Sequence, residues 1–276
     1  VTIVRKTILL LVLILIVGCG QNAEQYTKRA NEFLKQGDID KAIGQFEKAV
    51  KAEPNNYEAH NSLGATLSMR GDFARAIVHF RRAVAVRDSF IEGHYNLARA
   101  LTETDDLRGA IAEFRKVVQL DSTYALAYFS AAGAYLKQGM TDRAIDAYKL
   151  ALRFDPNLTQ VYMNLAATYV GLKNYDEAIS TLLDAKARNP KNVEIPAMAG
   201  RAAILKRDFS RAISLLDEAT KMDPKNPVPR NDLATAYMLA GRKDDAISQW
   251  EQILAMNPDP SLADMVTKNI ERARAK

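Results

Sequence analysis

The sequence has little of what an active site or a disulfide framework is made from. It contains one cysteine, Cys19, so no disulfide can close within a molecule. It has three histidines, no phosphate-binding glycine loop, no HExxH and no GxSxG. Asp and Glu are spread along the chain, where helix caps and solvated faces account for them. Charge of one sign is also scarce. The formal net charge is +5, and setting aside Arg5 and Lys6 leaves 36 basic against 33 acidic residues. That balance and the absence of a nucleic-acid-binding motif exclude nucleic acid as the expected partner. A local basic stretch, Arg70, Arg75, Arg81, Arg82 and Arg87, reads as a solvated face, the alternative being a surface for anionic headgroups or an acidic partner.

What is abundant is repetition. Stepping by 34 residues gives a small column, Ala42, Ala76, Ala110, Ala144, Ala178, Ala212 and Ala246. Four residues after each comes a bulky one: Phe46, Phe80, Phe114, Tyr148, Leu182, Leu216 and Trp250. A second small column runs Ala30, Gly64, Ala98, Ala132, Ala166, Gly200 and Ala234. Prolines close five units, at Pro54, Pro156, Pro190, Pro224 and Pro258, with Asp88 and Ser122 in the other two. Proline lacks the amide hydrogen that would continue a helix. Gly37, Gly71, Gly139 and Gly241 fall where a first helix should stop, and Lys173 and Arg207 depart from that pattern. Each unit therefore reads as two helices that stack on their neighbours.

The pattern resembles the tetratricopeptide repeat, a helix-turn-helix unit of the same period. The resemblance covers residues 23–260 as seven repeats, 23–56, 57–90, 91–124, 125–158, 159–192, 193–226 and 227–260. It implies an all-α, right-handed superhelical solenoid in which the first helix of each pair lines a concave groove. With no break between repeats, one elongated domain is expected rather than two. After the last repeat, Leu262, Met265, Val266 and Ile270 lie at helical spacing, so residues 261–276 are expected to form a capping helix.

His60 and His94 hold equivalent positions in adjacent repeats, and a two-histidine metal site requires their rings to approach. Tyr26, Tyr128 and Tyr162 share that column, which marks it instead as a packing site for a planar ring. His79 stands alone. The expectation is a chain without metal, cofactor or catalytic centre.

The N-terminus is of another kind. Arg5 and Lys6 precede an apolar run from Ile8 to Val17, too short for a permanent membrane span but of the right length for a secretory signal core. The sequence Ile16-Val17-Gly18-Cys19 resembles the bacterial lipobox. That resemblance implies a signal peptide over residues 1–18, lipidation of Cys19 and a tether of residues 19–22. It further implies an anchor in the bacterial cell envelope, with Gly20 favouring the outer membrane facing the periplasm.

In the tetratricopeptide family the groove is lined by the fifth, sixth, ninth, twelfth and thirteenth positions of the unit. Carried over, the resemblance places Asn61, Tyr95, Phe129, Met163, Ala197 and Asn231 at the fifth. Asn96, Asn164 and Met198 take the sixth, Asn31, Arg99 and Arg201 the ninth, and Leu136, Val170, Ile204 and Met238 the twelfth. An apolar stripe exposed along these helices would mark a binding surface, the alternative being cover by neighbouring helices or a second copy. The carboxylate clamp of some family members is not kept, since Thr27, Ser62, Glu92 and Asn96 replace its lysines, asparagine and arginine. Asn96 and Asn164 resemble the asparagine ladder that holds an extended peptide, and an apolar helix fits the same groove. The expected function is a non-catalytic scaffold or adaptor that binds envelope proteins or peptides, of the pilus-secretin or cell-wall machinery type. The alternatives are an accessory subunit of polysaccharide export or envelope biogenesis, and a self-assembling homo-oligomeric scaffold.

Overall fold

The computed structural model describes residues 22–275, and the expected signal segment and Cys19 lie outside them. The described residues are all-α, with no strand and no helix long and apolar enough to cross a membrane. The chain divides between Leu150 and Ala151 into two compact units. The N-terminal one holds α1 (residues 22–35), α2 (Ile39–Ala52), α3 (Tyr57–Met69), α4 (Phe73–Val86), α5 (Ile91–Glu103), α6 (Leu107–Leu120) and α7 (Ala125–Lys137). The division falls within α8 (Thr141–Phe154). The C-terminal unit holds α9 (Thr159–Gly171), α10 (Tyr175–Arg188), α11 (Glu194–Lys206), α12 (Phe209–Met222), α13 (Pro227–Leu239), α14 (Lys243–Ala255) and α15 (Pro260–Ala275).

A recurring turn separates the two helices of each hairpin. Gly37, Gly71, Gly139 and Gly241 enter the left-handed region, with φ of 77°, 83°, 74° and 78°. Asp105, Lys173 and Arg207 do so at the same register, with φ of 62°, 62° and 68°, although a side chain makes this conformation costly. The departure at Lys173 and Arg207 is thus one of residue type and not of backbone. The next amide closes the turn in each case, as when Asp72 N–H donates to Leu67 O and Asp208 N–H to Ala203 O, both at 2.9 Å. Asp38, Asp72, Asp106 and Asp208 then cap the following helix by accepting from the amide three residues on.

The end of each hairpin needs no proline. α4 and α6 stop at Val86 and Leu120, ahead of Asp88 and Ser122, at the register where Pro54 and Pro224 follow α2 and α12. A planar side chain six residues later fastens the turn both with proline and without it. Pro54 O accepts from His60, Asp88 O from His94, Ser122 O from Tyr128 and Pro224 O from Arg230.

Both small columns and the bulky column are buried. In the N-terminal unit Phe46, Phe80 and Phe114 pack with Leu63, Leu67, Leu97 and Leu101 into one core. Each such side chain stabilises by about 1.5–3 kcal/mol. The smallness of the second column has a direct cause: a Cβ on Gly64 would lie 2.7 Å from the Phe80 ring, and one on Gly200 2.5 Å from Leu216. In the C-terminal unit Val266, Ile270 and Ala273 of α15 pack with Trp250 and Ile253. This is the expected cap, with one correction: Met265 is exposed. Positions 262, 266, 270 and 273 form the helix stripe, and 265 falls beside it.

Most of the basic stretch reaches back toward the preceding hairpin, and Arg87 reaches the start of its own. Arg70 meets Asp40 at 3.1 Å, Arg75 meets Glu47 at 2.6 Å, Arg82 donates to Asn55 at 2.7 Å, and Arg87 lies 4.8 Å from the Tyr57 ring centroid. Lys116 with Asp88 continues the series at 2.6 Å. These contacts are exposed, and solvent screens them.

Candidate functional site

The first helices touch one another as well as their partners: α3 meets α5 and α5 meets α7 in the N-terminal unit, and α11 meets α13 in the C-terminal unit. Their unpaired faces line one side of each unit.

The fifth position is more buried than its assignment to a groove implies. Asn61 is 6% exposed, Met163 7%, and Ala197 is buried as well. Tyr95, Phe129 and Asn231 are half-buried because each reaches the bulky residue nineteen positions on. Tyr95 meets Phe114 edge-on at 5.9 Å between centroids, and Phe129 lies 6.1 Å from Tyr148. Asn231 Oδ1 accepts from Trp250 Nε1 at 3.0 Å. The expectation of a continuous exposed stripe is corrected here, since helix packing covers this column.

The asparagine ladder is closed on itself in the N-terminal unit. Asn96 Nδ2 donates to Asn61 Oδ1 at 3.0 Å, and Asn61 Nδ2 donates to Glu92 Oε1 at 3.3 Å. Asn164 Oδ1 accepts from Gln160 at 2.8 Å.

The ninth position is open in part. Arg99 is exposed, with its guanidinium 5.9 Å from the Tyr95 ring centroid. Arg201 is half-buried and paired to Asp232 at 3.0 Å. Burial pushes the Asp232 carboxyl above its ordinary value, with Arg201 opposing. Met198 and Leu136 are half-buried.

The thirteenth position, expected in the groove but with none of its residues named from the sequence, is the most open of these columns. Met69 is exposed, and Leu205 and Leu239 are 52% and 51% exposed at the ends of α11 and α13. Stepping by 34 from Leu205 would have found Leu239. Beside them Ile204 and Met238 are half-buried. A pocket of about 250 Å³ between α13, α14 and α15 is lined by Met238, Leu239, Trp250 and Arg272 among others. In the N-terminal unit a pocket of about 350 Å³ holds Ala65, Met69, Phe73, Phe80, Asn96 and Arg99.

The histidines do not form the pair that their spacing invited. His60 and His94 each turn to the residue nineteen positions on instead of to each other. His60 Nδ1 lies 3.1 Å from His79 Nδ1, so His79 is not alone, and His94 Nδ1 lies 2.6 Å from Glu113 Oε2. Both histidines are buried, as a packing column requires. Among the described residues no three His, Cys, Asp or Glu side chains are grouped to hold a metal ion.

Stacked helix hairpins with these columns define a helical-repeat protein. Models of the tetratricopeptide repeat match residues 27–91 and 92–158, and residues 135–201 and 203–270, and the chain belongs to the tetratricopeptide-repeat family. Among solved structures it is similar to the MamA protein, at 28% identity over 62% of this chain and 94% of that one, with a TM-score of 0.58. It shares the fold of the C-terminal part of a repeat-containing protein from Cytophaga hutchinsonii, at 18% identity over 86% of this chain and 98% of that one, with a TM-score of 0.73. YrrB, described as a TPR protein with an unusual peptide-binding site, matches at 23% identity over 68% of this chain and 97% of that one, with a TM-score of 0.56. No curated protein matches the chain.

Proposed function

We propose that this protein is a non-catalytic scaffold that holds a partner segment against its first helices. The observation that carries this reading is the pair Leu205 and Leu239, half-exposed leucines at one register on successive first helices, flanked by Ile204, Met238 and Met198. Exposed leucines with that regular spacing, Leu239 also lining the pocket that holds Trp250, suit the apolar face of an amphipathic partner helix better than an extended strand. The asparagine ladder supports the same preference, because Asn61 is buried with both its carbonyl and its amide nitrogen engaged by Asn96 and Glu92.

The proposal extends to place. Arg5, Lys6, the apolar run and Cys19 support a lipid anchor in a bacterial envelope, where the scaffold would position its partner at a membrane during assembly of an envelope complex.

Photo-crosslinking in cells tests both parts, with probes at positions 205 and 239 and a control probe at the exposed Val78 of α4. Capture of one envelope protein from 205 and 239 but not from 78 is the expected result. Equal capture from all three positions would overturn the groove assignment. Replacing Cys19 by serine should release the folded chain from membranes, and retention would overturn lipid anchoring.

A further inference from the structure

The same fastening recurs in adjacent hairpins of the N-terminal unit with opposite charge chemistry. At the first, His60 is 8% exposed, and its Nε2 lies 3.1 Å from Pro54 O. A carbonyl only accepts, so Nε2 carries the hydrogen and a neutral His60 presents a bare lone pair at Nδ1. That lone pair faces His79 Nδ1 at 3.1 Å. The ring centroids are 5.4 Å apart with 25° between planes. This separation is the nitrogen gap plus one ring radius at either end, so the two nitrogens point at each other along one line. Such geometry suits a single shared proton, donated by His79, and not two donors converging on an ion.

One added proton leaves the contact intact, since it enters at His79 Nε2. A second must go to His60 Nδ1, the atom that accepts the bond, and two N–H groups then face each other. The surroundings add to the cost. Pro54 O also accepts from Arg82 Nε at 3.4 Å, Arg75 and Arg81 lie on the same helix, and Glu47 of α2 is paired to Arg75. Arg81, Arg82, Val50 and Pro54 line the open pocket around the pair.

We propose that the His60–His79 contact is an acid-release joint: full protonation breaks it and loosens α3 from α4 within their hairpin. Burial pushes both histidines below the ordinary value of 6.5, helped by Arg82 at His60 and by His60 and Arg75 at His79. The unfolded chain therefore binds more protons near that value. The joint's stability is fully present above 6.5 and is lost as pH falls through it toward the folded values.

One hairpin on, His94 lies between Glu113 Oε2 at 2.6 Å and Asp88 O at 2.9 Å, with the Asp88 carboxylate 3.9 Å away. Burial opposes charge on His94, but the Glu113 bond, the Asp88 carbonyl and both carboxylates outweigh it and raise its pKa. Acid therefore favours this fastening, and the loosening is confined to the first joint.

The chain has three histidines, so its imidazole Cε1–H resonances can be followed from neutral to acid pH in the full chain. The expected result is one resonance, His94, titrating above 6.5 and two below it. Amide exchange in α3 and α4 around His60 and His79 should quicken as the two protonate. His79→Glu copies the next hairpin and should move the His60 midpoint from below to above 6.5 while abolishing the acid-induced exchange. Should that variant not fold, His79→Gln, which donates to His60 but takes no proton, should also abolish the acid-induced exchange. His60 and His79 titrating independently near 6.5, or exchange at these amides unchanged by acid, would overturn the proposal.

Discussion

Asn96 on α5 donates a 3.0 Å hydrogen bond to Asn61 on α3, so two residues of the groove columns satisfy each other before any partner arrives. Asn61 in turn donates to Glu92, and its burial makes it the hub of this small network. Asn61→Ala should therefore cost about 1–3 kcal/mol, the penalty of leaving polar groups unpaired next to a core. Urea denaturation of the variant measures it, and an unchanged midpoint would show that the network contributes nothing.

Lys173 and Arg207 hold a left-handed backbone that glycine holds at four equivalent turns. Substituting glycine relieves the Cβ clash and adds freedom to the unfolded chain, and the first effect is the larger. Lys173→Gly and Arg207→Gly should each stabilise by about 0.5–1 kcal/mol, read as a raised thermal midpoint.

Gly64 behaves in the opposite way. It lies within a regular helix, where alanine is normally the better residue, yet an added methyl would press on the Phe80 ring. Gly64→Ala should destabilise by about 1–3 kcal/mol, the usual cost of overpacking. Pairing it with Phe80→Leu should recover part of the loss in a double-mutant cycle.

Glu113→Gln removes the carboxylate that raises the pKa of His94. A raised value contributes stability that is complete below the unfolded pKa and lost as pH rises through the folded one. The melting temperature of the variant should thus fall further below that of the parent chain at about pH 5.5 than at about pH 8.5.

Leu205→Glu and Leu239→Glu put charge on the exposed register proposed for the partner. Each should leave stability within about 0.5 kcal/mol, as surface changes do. Partner capture or affinity should fall by about tenfold or more.

The resemblance predicted groove positions by register alone, and register proved a partial guide. Arg99 is exposed, but Tyr95, Phe129 and Asn231 reach inward because the bulky column lies within their span. Exposure depends on the size of the residue nineteen positions away, which a single column does not display. The arginines of α4 were legible as a cluster, and their acidic or polar partners about one repeat earlier were not.

The sequence by itself determined the elements: where each helix stops, where small residues admit a bulky neighbour, and that one hairpin follows another in a tetratricopeptide pattern. Those features are local, fixed by backbone conformation and by contacts within one hairpin. The tertiary structure alone decided which groove residues are free, which arginines are spent, and that His60 shares a proton with His79 while His94 holds its own on Glu113. The physical reason is that protonation and exposure are set by the groups facing a side chain across a seam, and helix packing brings those groups together from distant parts of the chain.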